Sequence, residues 1–390
     1  MIGRSQRDAI KNDLWKGKVI ILLGPHQVGK ATLIRQIAGA EEPGYLYLNG
    51  DLESVQALLN ARSLENLRSV IGSHRLVVID EAQRISEIGL KLKILVDAQP
   101  ETQLLVTGSS SLDLAFGVNE SLTGRKFQHF MYPIAYAELQ QSWGAERALD
   151  SLEQRLLYGS YPEVINEAGR ERRYLDLLVD SYLYKDLLYQ ATVRRVDLLK
   201  KILQALALQL GNEVSYNEVA KTVSADPATV EHYIDLLEKA FVLLRLPSLS
   251  RNLRTEIKKG RKIYFWDNGV RNALIANFSP LHLRQDKGAL WENFLVSERL
   301  KVKHYRQQYF NAYFWRTYNQ QEIDYIEESD GVLRAYEFKW SPRKRGRFPA
   351  SFLAAYGEVH THTVTRDNFI PFVLGNSSAP ARRRPPATPE

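Results

Sequence analysis

Short apolar runs alternate with helix-like patterns through residues 1–140. The runs predict strands at Lys18–Leu23, Tyr45–Asn49, Arg75–Ile79, Gln103–Thr107 and Lys126–Met131. Helices are predicted to open near Ala31, Ser54 and Glu87. Such alternation reads as a parallel sheet with helices on both faces. From Pro133 to about Leu210 the pattern turns helical and rich in leucine and tyrosine, as in Tyr174–Tyr184, and is read as a lid whose aromatic stripe is core. Leu198–Leu210 is then a helix. Ser215-Tyr-Asn-Glu218 is a capping box opening a second, and Pro227–Ala240 is a third with Val230, Ile234 and Leu237 on one face. Phe241–Leu246 and the run from Lys258 to Trp266 would form a wing. Past Arg284 the chain predicts a helix through Gly288–Leu300, then extended segments at Tyr313–Arg316, Gln321–Ile326 and Tyr336–Trp340. The expected division is 1–140, a helical lid at 141–196, a winged helix at 197–266 and an α/β domain at 267–375. Residues 376–390 lack apolar periodicity and are read as a disordered tail or cloning remnant.

Composition narrows the class. At 390 residues, two to four domains are expected, and 44% hydrophobic with 25% charged residues is the balance of a globular protein. No apolar run reaches the ~18–20 residues that span a bilayer. The first residues lack the apolar centre of a signal peptide. Cysteine is absent, which removes disulfides, thiol nucleophiles and cysteine-ligated zinc. The expectation is a cytoplasmic protein with no membrane partner. The formal charge of +7 is modest, but basic residues cluster in Arg251–Lys262, at Lys301 and Lys303, and in Arg343-Lys-Arg-Gly-Arg347. Clusters of this kind suit a polyanion, and each also reads as a solvated face.

The chemistry begins at Gly24-Pro25-His26-Gln27-Val28-Gly29-Lys30, placed between a predicted strand and a predicted helix. That context is what a phosphate cradle requires: loop N–H groups and the positive helix end face the anion, and Lys30 reaches its outer oxygens. Val77-Val78-Ile79-Asp80-Glu81 is a buried strand ending in two carboxylates, Asp80 to hold Mg²⁺ through water and Glu81 to polarise an attacking water. With Thr107-Gly108-Ser109, these pieces fall at the carboxyl ends of strands, where such sheets bind ligands. One position departs from G-x-x-x-x-G-K-[ST]: the hydroxyl that would ligate Mg²⁺ is replaced by Ala31, and Thr32 points about 100° away. Nucleotide binding survives this change, while metal positioning and hydrolysis are weakened.

A second constellation lies in the last third. Asp324 and Glu337 on adjacent strands can share a divalent metal with Glu292 alongside, and Glu337 and Lys339 share a strand face. Lys339 would then assist a water against a phosphodiester. A structural ion-pair cluster is the competing reading. The third helix of the winged-helix segment fits a DNA major groove; its Glu231 and Glu238 equally suit a protein contact.

In these motifs the chain resembles the bacterial and archaeal AAA+ proteins that carry an AAA_14-type N-terminal module and a DUF4143 C-terminal region. The matches are Gly24–Lys30, Asp80-Glu81-Ala-Gln83, Leu105–Ser110, Leu122-Thr-Gly-Arg125, Gly159–Glu163, Gly288–Glu292, Glu322-Ile-Asp324 and Glu337-Phe-Lys339. The resemblance implies an α/β fold made of a P-loop AAA+ sheet, a winged helix and a PD-(D/E)XK nuclease-like domain. It also implies ATP and Mg²⁺ as cofactors and a homo-oligomeric ring, often a hexamer. In such a ring Arg125 is the candidate to reach a neighbour's phosphates, or it pairs within its own subunit. Ser109 or Ser110 would be the polar sensor. The expected activity is ATP hydrolysis coupled to DNA binding and remodelling. Two alternatives stay open: an ATP-gated switch with little turnover, and a metal-dependent nuclease controlled by the ATPase module.

Overall fold

A computed structural model describes residues 2–41, 44–60, 63–108, 122–183, 195–250 and 260–376. Ser109, Ser110, Lys258, Lys259 and the tail from 377 lie outside the described residues. The chain divides into two compact units. The first comprises Met1–Gln209, Tyr216–Leu244 and Phe265–Leu281; the second comprises Leu210–Ser215, Arg245–Tyr264 and His282–Glu390.

The first unit is organised by a five-stranded sheet. Its strands are β1 (Val19–Leu23), β2 (Leu46–Asn49), β3 (Leu76–Asp80), β4 (Gln103–Gly108) and β5 (Lys126–Phe130), in the order β2-β3-β4-β1-β5. All the pairings are parallel. β1, β3 and β4 are buried along their whole lengths, which is why their sequences are nearly unbroken apolar runs. Helices Lys30–Ala38 and Ile88–Ala98 follow β1 and β3. Two helices occupy the stretch between β2 and β3 where the sequence suggests one. Glu53–Leu59 ends, and Ser63 opens Leu64–Ile71 by accepting a hydrogen bond from the Asn66 N–H.

Beyond β5 the unit is helical, from Tyr136–Trp143 to Val196–Leu208, then Tyr216–Val223 and Pro227–Lys239. Asp226 caps the last of these by accepting from the Thr229 N–H, with Pro227 in its first turn. Helix Asn268–Leu274 also belongs here, although its sequence position suggests the C-terminal domain. The reason is a set of directed hydrogen bonds. Asp267 accepts from the backbone N–H of Ser160 (2.7 Å), and Asn272 donates to the carbonyls of Leu156 and Leu157 (3.2 and 2.8 Å). The end of helix Leu152–Tyr158 thereby finds partners for carbonyls that no helical N–H can reach. The Gly159-Ser-Tyr-Pro-Glu163 motif is accordingly part of a structural joint.

The second unit holds a four-stranded mixed sheet of β9 (Asn311–Arg316), β10 (Glu322–Ser329), β11 (Val332–Lys339) and β12 (Val359–Thr365), in the order β12-β11-β10-β9. β11 and β12 run parallel, and the other pairs are antiparallel. One core gathers Leu249, Trp315, Ile323, Ile326, Ala335 and Phe352. Aromatic contacts among Trp291, Phe294 and Phe369 tie in the 19-residue helix Lys287–Tyr305. Short strands β6 (Glu213–Val214), β7 (Leu243–Pro247) and β8 (Arg261–Phe265) make a small sheet in which β6 and β8 are antiparallel. Among the described residues, no helix is long and apolar enough to cross a membrane.

Candidate functional site

At the carboxyl edge of the first unit's sheet the loop between β1 and helix Lys30–Ala38 turns tightly. Gly24 donates its N–H to the Gly108 carbonyl, and a Cβ on it would lie 2.0 Å from the Met131 carbonyl oxygen, so no side chain fits. Gln27 and Gly29 both adopt positive φ (60° and 94°), the second as the helix N-cap. Turns of this kind aim successive backbone N–H groups into one concavity, and the nine-residue helix adds its positive end. Val28 is fully buried, and its carbonyl accepts from the Arg4 guanidinium at 2.6 Å. Arg4 also donates to the Tyr132 carbonyl (2.6 Å) and to Glu138 (3.1 Å), clamping the loop against the segment after β5. Pro25 contributes its carbonyl: the buried Lys30 ammonium donates to the carbonyls of Gly24 (2.9 Å) and Pro25 (2.8 Å). An ammonium that donates to neutral carbonyls is well placed to exchange them for an anion. Ala31 is half-buried and Thr32 exposed, so Thr32 does not take over the position of the missing hydroxyl.

Asp80 closes β3 and is buried. One of its oxygens accepts from the Tyr47 hydroxyl at 2.5 Å, and the other accepts from the Thr107 hydroxyl. Both partners are neutral, and among the described residues no ammonium or guanidinium touches the carboxylate. Burial, followed by donation to Asp80, pushes the Tyr47 phenol up to about 12, so it stays a donor. Arg35 in turn donates to Tyr47 at 2.6 Å. Glu81 has φ 50°, its N–H donates to Thr107 (3.2 Å), and Gln83 donates to its carboxylate (2.5 Å). These residues fit a nucleoside triphosphate, because the cradle is shaped for phosphate. They fit magnesium held through water, because the direct partners of Asp80 are neutral hydroxyls while the Ala31 side chain offers no oxygen. Arg4, Tyr47 and Arg35 were not legible as site residues; an arginine near the start and a tyrosine in β2 carry no motif.

Arg125 lies elsewhere. Its carbonyl pairs with the Val19 N–H at the amino end of β1, about 16 Å of strand from the phosphate loop. It is half-buried and bonded to Asp97 at 2.6 Å.

The second constellation is assembled, though around different cations than expected. Asp324 and Glu337 sit on the adjacent strands β10 and β11, and the Phe338 N–H donates to Asp324 (2.7 Å). Lys339 stands between them, 2.7 Å from Glu337 and 3.5 Å from Asp324. Glu292 turns to a lysine the sequence did not single out: Lys262, 1% exposed at its side chain, lies 2.8 Å from Glu292 and 2.5 Å from Glu322. The Tyr264 hydroxyl donates to the same Glu292 oxygen at 2.6 Å. Burial works against the Lys262 charge, but Glu292 and Glu322 outweigh it and raise its pKa. Burial and Asp324 push Glu337 up to about 7, and burial raises Glu292 as well. Among the described residues no group of three or more His, Asp or Glu is arranged to hold a metal ion. Glu292, Asp324 and Glu337 therefore do not form the expected metal set in this arrangement, and Lys339 is engaged with carboxylates. The physical reason is that ammonium groups already occupy the space between the acids. The only sequence signal for Lys262 was its place in a basic run.

Comparison with known proteins follows this division. Residues 16–140 match the model of the AAA domain AAA_14. Residues 149–281 match a domain of unknown function, DUF8612, and 287–377 match another, DUF4143. An uncharacterised protein of Mycobacterium tuberculosis is 27% identical over 343 residues, covering 86% of this chain and 74% of its own. One from Haemophilus influenzae is 24% identical over 275 residues, covering 65% and 68%. Among solved structures, a Walker-type ATPase of Pyrococcus abyssi is similar at TM-score 0.49 and 16% identity, over 70% of this chain and 96% of that one. The Thermotoga maritima RuvB Holliday junction branch migration motor is similar at TM-score 0.32 and 17% identity, over 66% and 95%.

Proposed function

Because the chain joins an AAA_14-type AAA domain to a DUF4143 region, we propose that it is an ATP hydrolase that couples nucleotide binding to DNA binding and remodelling. The observation that carries this reading is the convergence, at one sheet edge, of an anion cradle with a buried carboxylate bonded to neutral hydroxyls. When bound, Mg²⁺–ATP supplies a transferable phosphoryl group whose developing charge the metal stabilises. Lys30 and the N–H groups of the Gln27–Gly29 turn neutralise phosphate charge. Asp80 would hold the metal through water, Glu81 would orient the attacking water, and Ser109 or Ser110 would be the polar sensor. Arg125 serves a neighbouring subunit in a homo-oligomeric ring; its exposed pair with Asp97 is of the kind worth about 0–1 kcal/mol and is easily released. The helices Tyr216–Val223 and Pro227–Lys239 with the small sheet act as a winged helix. The test is steady-state ATP hydrolysis with Mg²⁺, alone and with single-stranded, duplex and four-way branched DNA, scoring DNA integrity in parallel. Stimulation by one DNA form is expected, and indifference to every form would sink the coupling.

A second reading is favoured by Ala31 and by the exposure of Thr32: an ATP-gated switch with little turnover. It predicts that Ala31→Thr raises hydrolysis several-fold without changing partner binding. An unchanged rate in that variant would remove it. The nuclease alternative has less support, because the carboxylates it needs are bonded to Lys262 and Lys339.

A further inference from the structure

Cations in the second unit are mostly consumed by their own fold. Arg299 makes a bidentate pair with Glu327, at 2.6 and 2.8 Å. Lys301 pairs with Glu298, Lys262 with Glu292 and Glu322, and Lys339 with Glu337. One segment is different. Arg343, Lys344, Arg345 and Arg347, in the loop that follows β11, are all exposed, and among the described residues none of the four has an ion pair. The surrounding sequence is depleted of acids: between Lys339 and Arg366 the only carboxylate is Glu358. A run of like charge with nothing to compensate it costs the fold self-repulsion and leaves its field directed at solvent, open to an anionic partner.

The loop is also held in place. Gly346 donates its N–H to the Thr363 hydroxyl on β12 (3.1 Å), and a Cβ on it would meet the Glu337 Cβ at 2.6 Å. The Lys344 N–H bonds back to the Ser341 carbonyl (3.1 Å), and Pro342 and Pro349 fix the backbone φ near each end. β11 and β12 are parallel and pair to their last residues, Lys339 with Thr365, so both strands end at the same edge. Arg366 leaves β12 there, with its guanidinium 5.3 Å from the centre of the Trp340 ring that opens the loop. The result is a backbone-anchored loop with four exposed cations, opening at Trp340 with Arg366 over its ring, the chemistry that takes a nucleic-acid backbone by its phosphates. By contrast, the helix Pro227–Lys239, which the sequence suggested as the DNA reader, exposes Glu231.

We infer that the loop from Arg343 to Arg347 is the docking site for a nucleic-acid backbone, binding phosphodiesters without reading sequence. This rests on the DNA reading above and assigns its place. The test is fluorescence anisotropy with the full chain and a duplex of arbitrary sequence, across a salt series. The comparison variant carries Arg343→Ala, Lys344→Ala, Arg345→Ala and Arg347→Ala together, with nucleotide binding and thermal unfolding as folding controls. Expected is a loss of affinity of roughly tenfold or more. The slope of log K against log salt should become shallower by about 0.9 for each phosphate contact removed. A second variant, Arg343→Lys with Arg345→Lys and Arg347→Lys, should keep most of the affinity and slope, because charge rather than fork geometry is used. If wild type binds DNA and the alanine variant matches it in affinity and slope, this assignment is wrong while the DNA reading stands. If wild type binds no DNA at all, both fall. Binding to phosphatidylserine vesicles, lost in the alanine variant with no DNA bound by either protein, would transfer the loop to membranes and overturn the inference.

Discussion

Two carboxylate sites in one chain are compensated in opposite ways. In the first unit Asp80 is held by hydroxyls from Tyr47 and Thr107, which orient it without cancelling its charge. In the second unit Glu292, Glu322, Asp324 and Glu337 are held by Lys262 and Lys339, which cancel charge as they orient. A carboxylate bonded only to neutral donors keeps its attraction for an incoming cation. One bonded to a buried ammonium would have to displace that ammonium first, at the cost of leaving it desolvated. The same residue types therefore leave a carboxylate with neutral direct partners in one place and make a closed electrostatic joint in the other.

The comparison can be broken most directly at Lys262. Lys262→Met leaves Glu292 and Glu322 without their main partner, and a loss of about 3–5 kcal/mol is expected, measured by chemical denaturation. Adding Glu292→Gln should recover part of it; a variant as stable as wild type would show that the lysine is not the joint.

Glu337 gives the next largest effect. Its folded pKa, about 7, lies above the ordinary carboxylate value because burial and Asp324 oppose ionisation. The folded state therefore binds this proton more tightly than the unfolded chain does. Stability should fall as pH rises from about 4.5 to about 7 and level off above, a change of order 3 kcal/mol at most. Glu337→Gln should flatten that interval, and an unaltered pH profile would remove Glu337 as its source.

At the other site Lys30→Ala should weaken binding of a fluorescent ATP analogue by about ten- to hundredfold, the worth of charge-assisted hydrogen bonds of roughly 1.5–3 kcal/mol. Folding should be less affected than binding, since the Gly24 and Pro25 carbonyls that Lys30 bonds can be served by water. Smallest is Tyr47→Phe, which removes one neutral donor from Asp80. About 1 kcal/mol of stability should be lost, with a raised Mg²⁺ requirement for nucleotide binding; an unchanged magnesium titration would mean that Tyr47 does not orient the carboxylate.

The architecture was legible where burial is continuous. The five strands of the first unit appear within a residue of their predicted ends; for β1, β3 and β4 the reason is that strands covered on both faces must be apolar throughout. The phosphate loop was legible because its chemistry needs neighbours in sequence. The partners that decide each site's charge were not, because they come from far along the chain. Arg4 reaches Glu138, Tyr47 reaches Asp80 across 33 residues, and Lys262 reaches Glu292 across 30. Periodicity reports which face a residue occupies and says nothing of which distant group it meets. The helix Asn268–Leu274 was placed by position with the segment that follows it, while its hydrogen bonds fix it to the helix ending at Tyr158.

That last joint has a consequence in time. The first unit is discontinuous, and Asp267 and Asn272, which terminate helix Leu152–Tyr158, are made long after it. At roughly 5–20 residues per second of synthesis, the stretch from Gln209 to Leu281 takes on the order of 4–14 s to emerge. Through that interval every residue of the phosphate loop and of β3 has been made, while the partners that end helix Leu152–Tyr158 have not.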